Sequence, residues 1–317
     1  MRLLHFALCL PLAFASPALA SVGFQVVHIP DPEGGTIEAG IWYPADAAPT
    51  TSQLGLSTQT VAADAPLVGD HFPLVVISHG NGGFFGGHSD TAEALANAGF
   101  VVAALTHTGD NYPDVSRATD MPNRPRQLSV LITYMLKSWP GHDRLDASRV
   151  GAFGFSSGGF TVLAAAGAKT DPAVIARHCQ ILPALYDCQL VAAHRQTPAS
   201  WAWATDTRIK AVVSAAPALG YAFTPESLAA IRVPVQLWQA QYDHILPAPY
   251  YVEPVRRYLR SVEFHEVMGG DHFDFMPECD HPEQYPYLCF SPQGFDRAAF
   301  HVAFDRAVVR FFRRTLR

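Results

Sequence analysis

Two stretches of this chain, Leu-Val-Val-Ile-Ser at residues 74–78 and Phe-Val-Val-Ala-Ala-Leu at 100–105, are apolar at consecutive positions rather than alternate ones. A strand with one wet face alternates, whereas one that is apolar throughout must be covered on both sides, as in a parallel sheet between two helical layers. Further strands are expected at 150–154, 209–214, 233–239 and 262–267. Helical patterns separate them. Asp90 with Glu93 has the form of a capping box, and the helix behind it stops at Gly99. Pro125 opens a helix striped by Leu128, Leu131, Ile132, Met135 and Leu136. A small-residue helix follows Ser156, and the last helix carries Phe300, Phe304, Ala307, Val308 and Phe311 on one face, with Arg310, Arg313 and Arg314 near its end. The alternation predicts an α/β fold with a doubly wound, mostly parallel sheet. Residues 23–30 and 36–43 read as an antiparallel edge pair, and 47–71 as an irregular loop. Residues 169–208, with Cys179, Cys188, Trp201 and Trp203, read as an inserted cap pinned by a disulfide. Neither an internal repeat nor an interdomain linker is visible, so 21–317 is read as one domain.

Composition narrows the function. With 49% hydrophobic and 16% charged residues, the 317-residue chain is neither a disordered polymer nor a polytopic membrane protein, and a domain of this length buries roughly three quarters of its unfolded surface. Its net charge of −6 and lack of a basic block exclude a nucleic-acid partner. Residues 1–20 have the order of a signal peptide: Arg2, an apolar stretch, then Ala18-Leu19-Ala20. Cleavage is expected after Ala20, giving an exported periplasmic or secreted protein with no stable membrane anchor. Cys9 leaves with the leader and is not positioned for a lipid. The remaining Cys179, Cys188, Cys279 and Cys289 are even in number and suit an oxidising compartment. Cys179 with Cys188 and Cys279 with Cys289 are the favoured pairs, since each closes a short polar loop. A zinc site is the rival reading, and no Cys-x-x-Cys supports it.

Gly154-Phe155-Ser156-Ser157-Gly158 stands where a buried strand turns into a helix. Glycines two before and two after the serine allow close backbone approach, so that the Ser156 hydroxyl projects from the sheet edge at a helix N-terminus. Ser157 lacks the preceding glycine, and its expected contribution is its backbone N–H.

With this motif in its strand-to-helix context, the chain resembles the α/β-hydrolase superfamily from about residue 23 to residue 315. In that family the triad runs Ser, acid, His along the chain. The resemblance implies Asp243 as the acid, in the loop after the 233–239 strand, although Ala240 stands where the family often has glycine. It implies His272, in Gly-Gly-Asp-His-Phe at 269–273, as the general base. Asp271 and Asp274 compete for the acid role but are too near His272 in sequence to reach its far ring nitrogen. His244 either lines the pocket or faces solvent, and His265 and His281 are read as ordinary histidines. The glycine-rich turn after strand 74–78, Ser-His-Gly-Asn-Gly-Gly, resembles the family's oxyanion loop, with Asn81 first and Gly80 second as backbone donor beside Ser157.

Val-Ile-Ser-His-Gly at 76–80 and Gly-Ala-Phe-Gly-Phe-Ser-Ser-Gly-Gly-Phe-Thr at 151–161, with the Asp243 and His272 loops, resemble the dienelactone hydrolase and platelet-activating-factor acetylhydrolase branch. Ser156 stands where dienelactone hydrolases carry cysteine, which sets that substrate aside. The resemblance implies a serine esterase that cleaves short-chain or lipid-like carboxylic esters through an acyl-enzyme, with a small-molecule ester as its partner. Phe84, Phe85, Tyr112, Phe155, Phe160, Trp201 and Trp203 could wall the acyl or alcohol site, or belong to the core. No cofactor, metal or nucleotide is implied: His-Glu-x-x-His, G-x-G-x-x-G and P-loop patterns are missing. Two other readings stay open, a serine peptidase or amidase on the same fold and a catalytically silent binding module.

Overall fold

Because successive side chains of a strand point to opposite faces, the consecutive apolar runs supply two cores, one on each side of a single sheet. The computed structural model describes residues 21–194 and 202–317. The expected leader, its cleavage point and Trp201 lie outside the described residues. The strands are β1 (Ser21–Pro30), β2 (Thr36–Ala45), β3 (Thr50–Leu54), β4 (Ser57–Ala63), β5 (Phe72–Ser78), β6 (Val101–Leu105), β7 (Leu145–Phe155), β8 (Ile209–Ala215), β9 (Val235–Ala240) and β10 (Val262–Val267). They form a ten-stranded sheet in the order β10-β9-β8-β7-β5-β6-β2-β1-β4-β3. Pairing is parallel from β6 through β5, β7, β8 and β9 to β10. It turns antiparallel where β2 meets β6 and where β1 meets β2.

The helices are α1 (Ser89–Asn97), α2 (Asn123–Lys137), α3 (Ser157–Ala165), α4 (Pro172–Ile181), α5 (Tyr186–His194), α6 (Pro225–Ala230), α7 (Val252–Tyr258), α8 (Pro286–Cys289) and α9 (Arg297–Thr315). Leu74 and Val76 of β5 pack with Leu128, Leu131, Ile132 and Met135 of α2 and with Phe160 and Leu163 of α3. Val75 and Ile77 of the same strand face the other way, against Leu95 of α1 and Phe304, Val308 and Phe311 of α9. This is the doubly wound arrangement that the alternation predicts.

Two local expectations are corrected. Residues 47–71 are not an irregular loop. They contain the antiparallel hairpin β3–β4, whose β4 pairs in parallel with β1 and so removes β1 and β2 from the sheet edge. Ser57, Gln59 and Val61 are buried while Thr58 and Thr60 are exposed, a period of two hidden by the polar composition. Gly55 supplies the positive φ of the two-residue turn, and Gln59 accepts the Trp42 indole N–H at 3.0 Å. The capping box is also absent. Helix α1 starts at Ser89, two residues earlier than a cap at Asp90 would give, so Asp90 lies inside its first turn, and the Glu93 carboxylate takes the Thr60 N–H of the unforeseen hairpin instead.

Candidate active site

Ser156 connects β7 to α3 with φ 57° and ψ −119°, a left-handed conformation that costs a serine on the order of 1–3 kcal/mol. The surroundings enforce it. Its N–H donates to Ala215 O at 2.9 Å, and its carbonyl accepts from Ala218 N at 3.0 Å. A Cβ on Gly154 would overlap the Gly158 carbonyl, and one on Gly158 would overlap the Ser78 carbonyl of β5. Both flanking glycines are therefore required by close approach, and the turn can form only where three parallel strands bring these carbonyls together.

His272 is 1% exposed and sits on a short 3-10 turn after β10. Its Nε2 lies 3.1 Å from Ser156 Oγ and its Nδ1 lies 2.7 Å from Asp243 Oδ2. The second Asp243 oxygen accepts the N–H groups of Ile245 (3.1 Å) and Leu246 (2.6 Å), so the loop after β9 grips the carboxylate on two sides. The other acids have separate duties. Asp271 caps the turn by accepting the His272 N–H and pairs with His244, which lies at the surface. Asp274 forms a buried pair with Arg297 of α9 at 3.0 Å. His301 of α9 bonds the Asp274 carbonyl at 2.9 Å, so one helix holds the histidine turn from below.

Asn81, on the glycine-rich turn after β5, is held through its side chain. Its Nδ2 donates to Asp110 Oδ1 at 2.6 Å and its Oδ1 accepts the Tyr186 hydroxyl at 2.6 Å. Asp110 also takes the Gly82 N–H at 3.0 Å and forms a buried ion pair with Arg124 of α2. Arg124 in turn donates to the His79 carbonyl and, at 3.0 Å, to Thr161 Oγ1, and that hydroxyl donates to the Ser157 carbonyl at 2.7 Å. One buried pair thus clamps both chain segments expected to supply oxyanion donors. The backbone N–H groups of Asn81 and Ser157 are spent on no hydrogen bond among the described residues. Beneath the turn, His79 Nε2 accepts the His107 N–H, which leaves Nδ1 to donate to Gly80 O. Burial, with the Arg124 charge adding to it, holds the pKa of both His79 and His107 well below the usual imidazole value. Sequence reasoning missed Asp110, Arg124 and Tyr186. The one available signal was an arginine at the start of an amphipathic helix, which ordinarily faces water.

Comparison with known proteins follows the same outline. The family model described as platelet-activating factor acetylhydrolase, isoform II, matches residues 41–125, a segment that includes the Asn81 turn and ends before Ser156. A ferulic acid esterase from Streptomyces cinnamoneus superposes with a TM-score of 0.66 at 18% identity, over 95% of this chain and 91% of that one. The chain has the α/β-hydrolase fold. No curated protein matches the sequence.

Within the hydrolase fold, Ser156 lies at the meeting point of two cavities. The first, of ≈ 230 Å³, runs between α3 and the α4–α5 hairpin. The second, of ≈ 190 Å³, holds His272, Asn81, Phe155 and Tyr287. Tyr186 borders both. The aromatics left open between wall and core divide evenly among the described residues. Phe85 packs in the core beside Phe24 and Trp42, while Phe160 stacks on Phe223 with Trp203 at its edge. Only Phe155, Phe84 and Tyr112 of the described residues named for that wall line a cavity near the site. The hairpin is joined by Cys179–Cys188, and a second disulfide joins Cys279 to Cys289. Asp187, at the start of α5, accepts the hydroxyls of Tyr221 (2.6 Å) and Tyr251 (2.7 Å) and so ties the hairpin to the body of the fold. Burial first, and then the Asp187 charge, drive the pKa of both phenols upward.

Among the described residues, Asp90, His301 and Asp305 bring three potential metal-ligating atoms within 4.8 Å of one another. They lie between α1 and α9 and are engaged already, His301 with Asp90 and Asp305 with the Thr91 hydroxyl at 2.7 Å. Among the described residues no helix is long and apolar enough to cross a membrane.

Proposed function

We propose that this protein is an exported serine hydrolase that cleaves carboxylic esters, with Ser156 as nucleophile, His272 as general base and acid, and Asp243 as its orienting partner. The observation that carries this reading is the buried relay from Ser156 Oγ to His272 Nε2 (3.1 Å) and from His272 Nδ1 to Asp243 Oδ2 (2.7 Å). A serine hydroxyl is a weak nucleophile at neutral pH. In this scheme His272 takes the Oγ proton as Oγ attacks the ester carbonyl, and the imidazolium is stabilised by Asp243. The tetrahedral oxyanion is met by the Asn81 and Ser157 backbone N–H groups. His272 then delivers its proton to the leaving alkoxide, which departs as the alcohol and leaves an acyl-Ser156. Water, deprotonated by the same His272, attacks the acyl carbonyl, and as the acid departs His272 returns the proton to Ser156 Oγ. The family and fold likenesses support an ester as substrate, and the two disulfides support an oxidising compartment.

The test is hydrolysis of p-nitrophenyl esters by mature protein beside Ser156→Ala and Asp243→Asn. Each variant is expected to lose roughly 10⁴-fold or more in kcat with its fold intact. Folded wild-type protein that turns over no ester of any length would overturn the proposal.

A further inference from the structure

The two cavities that meet at Ser156 differ in chemistry and in access to the base, and this difference assigns the two halves of the substrate. The leaving oxygen has to receive its proton from His272 Nε2, so the alcohol portion must lie on the side of Ser156 that holds His272. That is the second cavity, which shares Gly82, Gly83, Gly87, Met276 and Leu288 as a wall with a groove of ≈ 430 Å³ bordered by Phe84, Tyr112 and Tyr285. The acyl portion must then leave the tetrahedral carbon toward the first cavity, which touches Ser156 and Ser157 and not His272.

The walls of that first cavity come from Met121, Ile175, Leu190, Val191, Leu219 and Leu246. Among the described residues lining it there is no Lys, Arg or His. The one carboxylate, Asp187, has its oxygens taken up by Tyr221 and Tyr251. Thr119, Ser157 and Tyr186 add hydroxyls to the lining, but no cationic side chain among the described residues there can pair with a charged acyl terminus, and burial of hydrocarbon is the main driving force. An apolar cavity of ~150 Å³ holds a six-carbon ring. By proportion, ≈ 230 Å³ accommodates roughly nine non-hydrogen atoms.

We propose that the cavity between α3 and the disulfide-joined α4–α5 hairpin is an acyl site for unbranched or lightly branched aliphatic chains of about six to nine carbons, with the alcohol held on the His272 side. This inference rests on the esterase reading and extends it to a substrate class: medium-chain aliphatic esters rather than acetyl esters.

The experiment measures kcat/KM on p-nitrophenyl esters from acetate to palmitate, and on acetate esters of alcohols of increasing length. Wild-type protein is expected to peak at hexanoate to octanoate and to fall at least tenfold by palmitate. Val191→Trp, which enlarges a solvent-exposed side chain of the cavity lining, should lower the octanoate-to-acetate ratio about tenfold, whereas Ile175→Ala should move the optimum to longer chains. A ratio is used because loss of folded protein lowers both rates and leaves it unchanged. If no ester is cleaved, the esterase reading falls and the acyl site with it. If acetate is cleaved and octanoate is no better, or if Val191→Trp shifts the dependence on alcohol length instead of acyl length, the acyl site alone is overturned.

Discussion

Ser156 and Asn81 illustrate how differently two neighbouring functions are encoded. The strained turn at Ser156 is written locally, because the glycines that it needs lie two residues to either side, and so the proposed nucleophile was legible in the sequence. The Asn81 side chain depends on Asp110, Arg124 and Tyr186, whose bonds span 29, 14 and 105 positions, and no local pattern records such pairing. Tyr186 gives a clean test of this network. Tyr186→Phe removes only the hydroxyl that orients Asn81, a neutral hydrogen bond worth about 0.5–1.5 kcal/mol. A roughly three- to tenfold fall in kcat is expected with KM held within about twofold, since an oxyanion donor acts in the transition state. An equal rise in KM with unchanged kcat would show that the phenol binds substrate and does not position the turn.

At the scale of elements, the central parallel strands β5 and β6 were legible because both of their faces are buried and the runs are apolar almost throughout. The β3–β4 hairpin was not, because Thr, Ser and Gln supply its alternation and only the placement of β1 tells which side is inward. The α4–α5 hairpin was anticipated as a cap, but its anchors, the Asp187 contacts with Tyr221 and Tyr251, join positions 34 and 64 residues apart. Its disulfide closes a loop with a sequence separation of 9, worth about 3 kcal/mol in the chain-entropy model. Cys179→Ser with Cys188→Ser should therefore lower the denaturant midpoint by a corresponding amount. Amide exchange should accelerate in 172–194 and stay unchanged in the parallel strands. Loss of protection spreading through β5 and β7 would mean that the hairpin is a structural keystone, not a locally tied cap.

For the whole molecule, pH acts through buried groups of opposite sign. His88 is held down to about 4 by burial, and His79 and His107 are also depressed. Each is protonated more readily when unfolded, so its contribution to stability is lost as pH falls below about 6.5. Asp305 behaves inversely: burial, with the Asp90 charge second, pushes it up to about 7. It is ionised in the unfolded chain above about 4 and resists ionisation in the folded one, so stability is lost as pH rises from about 4 through 7. Asp305→Asn keeps an acceptor for Thr91 and removes that charge. It should be more stable than wild type at pH 8, on the order of 2–4 kcal/mol, with the gain vanishing near pH 4. A variant less stable than wild type at pH 8 would show that the Asp305 charge is stabilising through His301. Consecutive apolarity, glycine spacing and the order of Ser156, Asp243 and His272 are properties of the chain itself, and they determined the parallel part of the sheet, the turn and the set of proposed catalytic groups. The two cavities at Ser156, the Arg124–Asp110 clamp and the separation of acyl from alcohol side were decided only in the folded molecule. They arise where side chains far apart in sequence share one low-dielectric interior, and neither periodicity nor spacing carries that information.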